Sequence, residues 1–472
     1  MIIKPTHMKK KTMLIYTALL LFAVALLVFS CKKTVKKEVV RPPLSEVKHV
    51  DWSRPAVIYE VNTRQFSKEG TFKGVEKELP RLKEMGIDLL WLMPVNPIGI
   101  KNHKGKLGSY YSVRDYKAIN PDYGNMDDFK QLVAAVHALG MKIIIDWVPN
   151  HSSWDNALTK THPEYYMKDS LGGFLSAFDW TDVIRFDYKN PGLRHYMIET
   201  MEWWYKETGI DGFRCDVAHM VPVDFWDECR AALDSIRPVF MLAEADQPFL
   251  HKKAYDATYD WKFYHVMNEI AKGRMNARAV VDHFNWVDTT YPGDSYLMQF
   301  TSNHDENSWN GTEYERLGEG AKTFAVLCAT LPDMLLIYNG QESAFNRRLK
   351  FFEKDSITWG KYELKDFYKT LIMLKKNNKA IWNGNGGRPE WIETNQDTTV
   401  LAFERIRDND AVLVVANLSA RPVDAVLKEP AMKGEFTEIF SGKKTSIDEK
   451  TRFSLKPWEY LVFTNQGPAA AK

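Results

Sequence analysis

Cysteine is scarce. The 472 residues hold four, Cys31, Cys215, Cys229 and Cys328, with no CxxC pair and no metal-like spacing. That excludes a disulfide framework, and the last three read as packed thiols. An excess of one charge is lacking too: 63 Lys and Arg stand against 61 Asp and Glu, a formal net charge of +2. Neither nucleic acid nor an anionic partner is indicated. No glycine-rich phosphate loop follows the first predicted strand, which weighs against a doubly wound nucleotide-binding sheet. What the chain does have is apolar and aromatic: 45% hydrophobic residues, with 15 Trp and 21 Tyr. These are ample for a large core, and flat rings also suit sugar-binding clefts. The length fits about three domains, or one large domain with additions.

Lys9, Lys10 and Lys11 precede an apolar run from Met13 to Phe29, followed by Ser30 and Cys31. A basic start, an apolar stretch and a small residue before the cut make a secretory signal. A spanning helix is the alternative, although the run is near the lower limit for crossing a bilayer. The segment Leu27-Val28-Phe29-Ser30-Cys31 resembles a bacterial lipoprotein lipobox. The resemblance implies cleavage before Cys31 and lipid on its sulfur, which exceeds the two-signal requirement for stable anchoring. Residues 1–31 are thus expected to be a lipoprotein signal peptide, with Met8 an alternative start. Residues 32–50 are expected to be a flexible tether. Lys32 and Lys33 give no acidic retention signal, so the expected address is the outer membrane, on either face.

From Val57 a pattern of helix, Gly, apolar strand and loop repeats. Predicted strands are Val57–Val61, Ile87–Pro94, Met141–Val148, Ile210–Val217, Val239–Glu244, Ala257–Tyr259, Ser295–Phe300 and Met334–Tyr338. Helices are predicted over Gly74–Met85, Asp127–Leu139, Leu193–Thr208, Phe225–Ile236 and Lys262–Ala271. Eight such units over residues 51–380 predict an α/β fold, a (β/α)8 barrel. Residues 150–187 are too long for an ordinary loop and are expected to form a small excursion domain. Residues 381–466 read as a separate antiparallel β-sandwich, with strands at Thr399–Phe403, Ala411–Ala416 and Leu455–Phe463. Residues 467–472 form a tail.

In such a barrel the chemistry sits at the C-terminal ends of the strands. Asp146, Asp216, Glu244 and Asp305 fall at the ends of strands three, four, five and seven, with His151 and His304 close by. Arg214 and Asp216 are two apart on a strand, so they share a face. Arg214 is therefore expected to lower the pKa of Asp216 and keep it ionised. Four carboxylates, an Arg and two His on one rim are a poor way to build a core. They point to two-carboxylate chemistry on a neutral polyhydroxylated substrate. A metal site is the competitor, disfavoured because Arg214 would repel a divalent cation.

The chain here resembles the α-amylase superfamily, glycoside hydrolase family 13. Four motifs carry the likeness in order: Asp146-Trp147-Val148-Pro149-Asn150-His151, Gly212-Phe213-Arg214-Cys215-Asp216, Leu242-Ala243-Glu244 and Phe300-Thr301-Ser302-Asn303-His304-Asp305. The resemblance implies a retaining hydrolase of α-glucosidic bonds in starch-derived glucans. Asp216 would be nucleophile, Glu244 general acid and then base, and Asp305 a holder of sugar hydroxyls. His151, Arg214 and His304 would contact the sugar, Tyr111 would stack under it, and Asp146 would organise the site. Glu244 must then carry a proton, and the two working carboxyls should lie about 5–5.5 Å apart.

No cofactor is needed for such chemistry, and the partner is an α-glucan or malto-oligosaccharide. Many relatives carry Lys and His directly after the nucleophile. Here His219 lies three residues on, and is expected to take over the aglycone-side contact. The Asp-rich calcium loop of some relatives is absent at Ser67–Thr71. The family's other calcium site makes Asn150, with Asp182 or Asp187, the candidate ligand set for a structural Ca2+. Transglycosylation and α-1,6 cleavage remain open, because acceptor sites are loop shape and Val217 does not decide linkage. A non-catalytic glycan-binding protein is disfavoured, since Asp216, Glu244 and Asp305 are all present.

Overall fold

The computed structural model describes residues 41–384 and 386–465. The signal peptide, Cys31, the first part of the tether and the tail lie outside the described residues. Among those described, no helix is long and apolar enough to cross a membrane.

Eight parallel strands close into a barrel: β1 (Ile58–Val61), β2 (Leu89–Leu92), β3 (Lys142–Trp147), β4 (Gly212–Cys215), β5 (Phe240–Ala243), β6 (Ala257–Tyr259), β7 (Tyr296–Gln299) and β8 (Met334–Tyr338). Each pairs with its sequence neighbours, and β8 returns to β1. Every residue of β1, β2, β4, β5 and β8 is buried, which is why β2, β5 and β8 read as continuous apolar runs, while β1 and β4 each bury one charge, Glu60 and Arg214. Gly212 opens β4 where a Cβ would meet the Phe240 carbonyl oxygen at 1.8 Å, so only glycine allows this approach of β4 to β5.

The helices are largely where expected. Met126–Ala138 starts at a capping box made by Asn125 and Asp128. Pro191–Thr208 is capped by Asn190 and ends at left-handed Gly209. The single helix predicted over Gly74–Met85 is instead two, Phe72–Glu76 and Leu79–Met85. Pro80 sits in the first turn of the second, where its missing N–H costs nothing.

The tether expected to stay flexible to Val50 is docked well before that. Ser45 binds Asp294 through its backbone N–H and hydroxyl, both at 2.8 Å, and Glu46 N–H donates to the Lys252 carbonyl. His49 Nδ1 lies 2.9 Å from Asp256 Oδ1, and Val47 and Val50 are buried. Asp256 and Asp294 just precede β6 and β7, so this strap covers the N-terminal end of the barrel, opposite the strand ends that carry the acids.

Residues after β3 form the expected excursion, a three-stranded antiparallel sheet of His151–Ser153, Ser176–Ala177 and Trp180–Arg185. The C-terminal region holds β9 (Pro389–Trp391), β10 (Val400–Arg407), β11 (Asp410–Asn417), β12 (Val423–Val426), β13 (Gly434–Glu438), β14 (Lys444–Ile447), β15 (Arg452–Leu455) and β16 (Tyr460–Thr464). Six of them form one sheet in the order β9-β10-β11-β16-β13-β14, and β12 pairs with β15. Leu455–Phe463, read as one strand, is therefore two, broken at Trp458 with φ 55°. One face of the larger sheet (Val400, Ala402, Leu413, Phe463) packs on Ala425 and Phe453 of the smaller. The other face (Leu401, Phe403, Val412, Val414, Val462) joins the main core of the barrel. The expected sandwich is present, but it forms one compact unit with the barrel and is not separate from it.

Candidate active site

Arg214 is the hub. It stands on β4, paired in register with Asp146 on β3 and Leu242 on β5, and its side chain is fully buried. Nη1 donates to Asp146 Oδ1 at 2.9 Å and to Asp216 Oδ1 at 3.1 Å. Nη2 lies 3.0 Å from Glu244 Oε1 without an aligned hydrogen bond, and Nε donates to the Tyr259 hydroxyl oxygen at 3.2 Å. One guanidinium thus holds three carboxylates from adjacent strand ends. A buried cation with this company is the arrangement that makes buried acids affordable.

Glu244 is fixed from a second side. Its Oε2 accepts the Val217 backbone N–H at 2.8 Å. Val217 follows Asp216 in a left-handed conformation (φ 36°, ψ 46°), a strained choice for a β-branched residue. The strain turns its N–H toward the acid.

The proton balance differs from the expectation for Asp216. Burial pushes this carboxyl well above its usual range, the nearby Glu244 adds to the rise, and Arg214 pulls it down without winning. The expectation that Arg214 alone would keep Asp216 ionised is thus corrected: two carboxylates on one guanidinium favour keeping a proton within the pair. Burial raises Asp146 to about 6, against the pull of Arg214. His151 is held neutral, with burial lowering it to about 3, and its Nε2 lies 3.9 Å from Asp216 Oδ2.

Asp305 sits across the pocket and its side chain is 35% exposed. Burial works to raise it, but the charge and hydrogen bond of His304 outweigh burial and hold it below the usual range. His304 Nε2 is 3.2 Å from Asp305 Oδ2 and 2.8 Å from the Tyr111 hydroxyl, which donates on to Asp146 Oδ2 at 3.1 Å. Tyr111 therefore does more than offer a ring to stack on. Its hydroxyl links the His304–Asp305 side to the Arg214 side. Chemically, the site can deliver a proton from one carboxyl while another attacks, with a third carboxylate and neutral or cationic imidazoles left to bind hydroxyls.

Residues 45–182 and 168–416 match the model of the alpha-amylase catalytic domain. The chain belongs to the alpha-amylase family. Residues 391–462 match the maltogenic amylase C-terminal domain. Among solved structures, the noncanonic maltogenic alpha-amylase AmyB of Thermotoga neapolitana is 30% identical with a TM-score of 0.80, over 87% of this chain and 98% of that one. Alpha-amylase MalA of Haloarcula japonica is 27% identical over 417 residues, which is 83% of this chain but 59% of that protein. Neopullulanase 2 of Thermoactinomyces vulgaris is 26% identical over 483 residues, 88% of this chain and 78% of that one. Alpha-amylase family enzymes are glycosidases and need no cofactor for their chemistry.

Within this alpha-amylase frame, Asp146, Asp216, Glu244, Arg214, His151, His304, Asp305 and Tyr111 converge. His219 does not: it lies exposed on the short turn Ala218–Met220 after β4, with no contact to the carboxylates among the described residues. The residues expected to hold calcium have these partners. The Asn150 amide nitrogen lies 3.2 Å from His151 Nδ1, and the Asp182 carboxylate already carries the Lys104 ammonium at 3.2 Å. Asp187 accepts the Lys189 backbone N–H. Among the described residues, no three His, Cys, Asp or Glu side chains group as metal ligands.

Three contributors went without a role in the sequence reading. Trp91 donates to Asp146 Oδ2 at 3.3 Å, Tyr259 meets Arg214, and Glu60 lies 2.5 Å from His304 Nδ1. Glu60 did carry a signal: it is the lone charge in the apolar strand β1.

Proposed function

We propose that the chain is a retaining glycosidase that cleaves α-glucosidic bonds in starch-derived glucans or malto-oligosaccharides. The observation that carries this is the single guanidinium of Arg214 shared by Asp216 and Glu244, with Asp305 clamped by His304 on the other side. The shared proton must lie on Glu244 when Asp216 attacks. Glu244 gives its proton to the leaving oxygen as Asp216 bonds the anomeric carbon. Water, deprotonated by Glu244, then opens the glycosyl-enzyme with net retention. His151, His304 and Asp305 hold sugar hydroxyls, and Tyr111 supports the ring.

The test is maltoheptaose followed by proton NMR beside an Asp216→Asn control. New α-anomeric reducing ends from the wild type alone support the proposal. Oligomers longer than the substrate would assign a transglycosylase instead. No product from maltoheptaose would overturn α-1,4 cleavage and turn the search to isomaltose and pullulan.

The proposal extends to location: an enzyme held at the cell envelope through lipid on Cys31. Supporting it are the lipobox-like Leu27–Cys31 and the basic, apolar start. Palmitate labelling of the wild type, absent from Cys31→Ala, is the expected result. Equal labelling of both would contradict it.

A further inference from the structure

Glu60 has no part in the proton steps above, yet it is a fully buried charge beside them. It stands on β1, fully buried, between Tyr59 and Val61. A lone carboxylate in a strand of a barrel core is costly to bury unless it is paired. Among the described residues its one side-chain hydrogen-bond partner is His304: Oε1 is 2.5 Å from Nδ1, while Oε2 has no partner there. His304 is itself buried, and its other nitrogen faces Asp305 and Tyr111. Around the pair stand Tyr111, stacked on the His304 ring at 5.5 Å, Trp91, edge-on at 5.9 Å, Phe351 at 6.5 Å, and the hydroxyls of Tyr338 and Tyr259, which burial holds protonated well above the usual tyrosine range. The charge of Arg214 also acts on Glu60, pulling against burial.

We propose that Glu60 is a positioning residue of the reaction, which keeps His304 as an imidazolium and through it fixes Asp305 and Tyr111 for the sugar. With Nδ1–H committed to Glu60, the imidazolium must present Nε2–H to the pocket. A neutral ring would have only one proton to place. Nε2–H can then donate to Tyr111 and Asp305, while Tyr111 keeps its own proton for Asp146. Burial works against the charge on His304, but the carboxylates on both sides of it raise it well above the usual imidazole range. Burial raises Glu60 as well, so the pair competes for one proton, and the ring flanked by two carboxylates keeps it.

This inference rests on the glycosidase reading of the pocket, and its test separates the two. The full-length chain in detergent, with 15N-labelled histidine, is compared with Glu60→Gln, which keeps the shape and removes the charge. His304 is assigned by its loss in His304→Gln. In the wild type, His304 is expected to show both nitrogens protonated from pH 5 to 8. In Glu60→Gln it should titrate at least one unit lower. The alkaline limb of kcat/KM should move acidward with it, with a loss of about tenfold or more at pH 8 and little at pH 5. A neutral His304 in the wild type at pH 7 would overturn the proposal without any variant. So would a variant whose loss is the same at every pH, as a merely structural role predicts. If the wild type cleaves no glucan, the reading of the site fails, while the histidine spectra still decide the role of Glu60.

Discussion

At the scale of single residues, the account turns on where protons rest. Asp216 is raised by burial and by Glu244. A raised carboxyl ionises only at higher pH, so nucleophile activity is lost as pH falls through that raised value. The acid limb of kcat/KM is therefore expected above the ordinary aspartate range of about 3.9. A stopped assay from pH 3 to 8 checks this, and full activity down to pH 4 would contradict it. The positions of these acids were legible in the sequence, because a strand end in a βα repeat fixes where a side chain points. Their protonation was not. The Arg214–Asp216 spacing revealed the attraction, but burial, with the repulsion of Glu244 from a strand 30 residues beyond Arg214, outweighs it. Glu60 was hidden for the same reason: its partner His304 lies 244 residues along the chain.

At the scale of elements, the barrel strands and most helices followed from apolar runs and caps. The misreadings have local causes. Pro80 restarts a helix that periodicity alone would continue, and Trp458 breaks a strand at a left-handed turn. β12, β13 and β14 are short and carry exposed polar residues, so no apolar run announced them. The strap before β1 was hidden by its Lys- and Pro-rich composition, although His49 ties it down. Burial works to lower His49, but the hydrogen bond to Asp256 and the charge of Asp294, 3.7 Å from Nε2, outweigh it and raise the imidazole to about 9. A raised histidine stabilises fully below its unfolded value, near 6.5, and loses that contribution as pH rises through about 9. The Tm of the wild type should exceed that of His49→Gln at pH 6, with the gap closing by pH 10. A gap that persists at pH 10 would contradict the ion-pair account.

At the scale of the whole molecule, the terminal sheet is a structural wall of the barrel. Phe403, on β10, is fully buried in the main core. Phe403→Ala should cost about 3–5 kcal/mol of stability, read as a fall in Tm, while the pH profile of the remaining activity stays unchanged. A shifted profile would mean that the sheet reaches the chemistry. The division of labour that follows is simple: strand ends hold the acids, Arg214 gathers them, and the rest of the molecule holds the strands in register. The central claim is covalent catalysis on Asp216, and trapping the intermediate tests it most directly. The full-length chain is incubated with a fluorinated α-glucosyl fluoride that slows the second step, then digested and read by mass spectrometry. The account predicts one added sugar on the peptide that contains Asp216, and none in Asp216→Asn. A sugar on the Glu244 or Asp305 peptide, or turnover to β-anomeric product with no adduct, would contradict it.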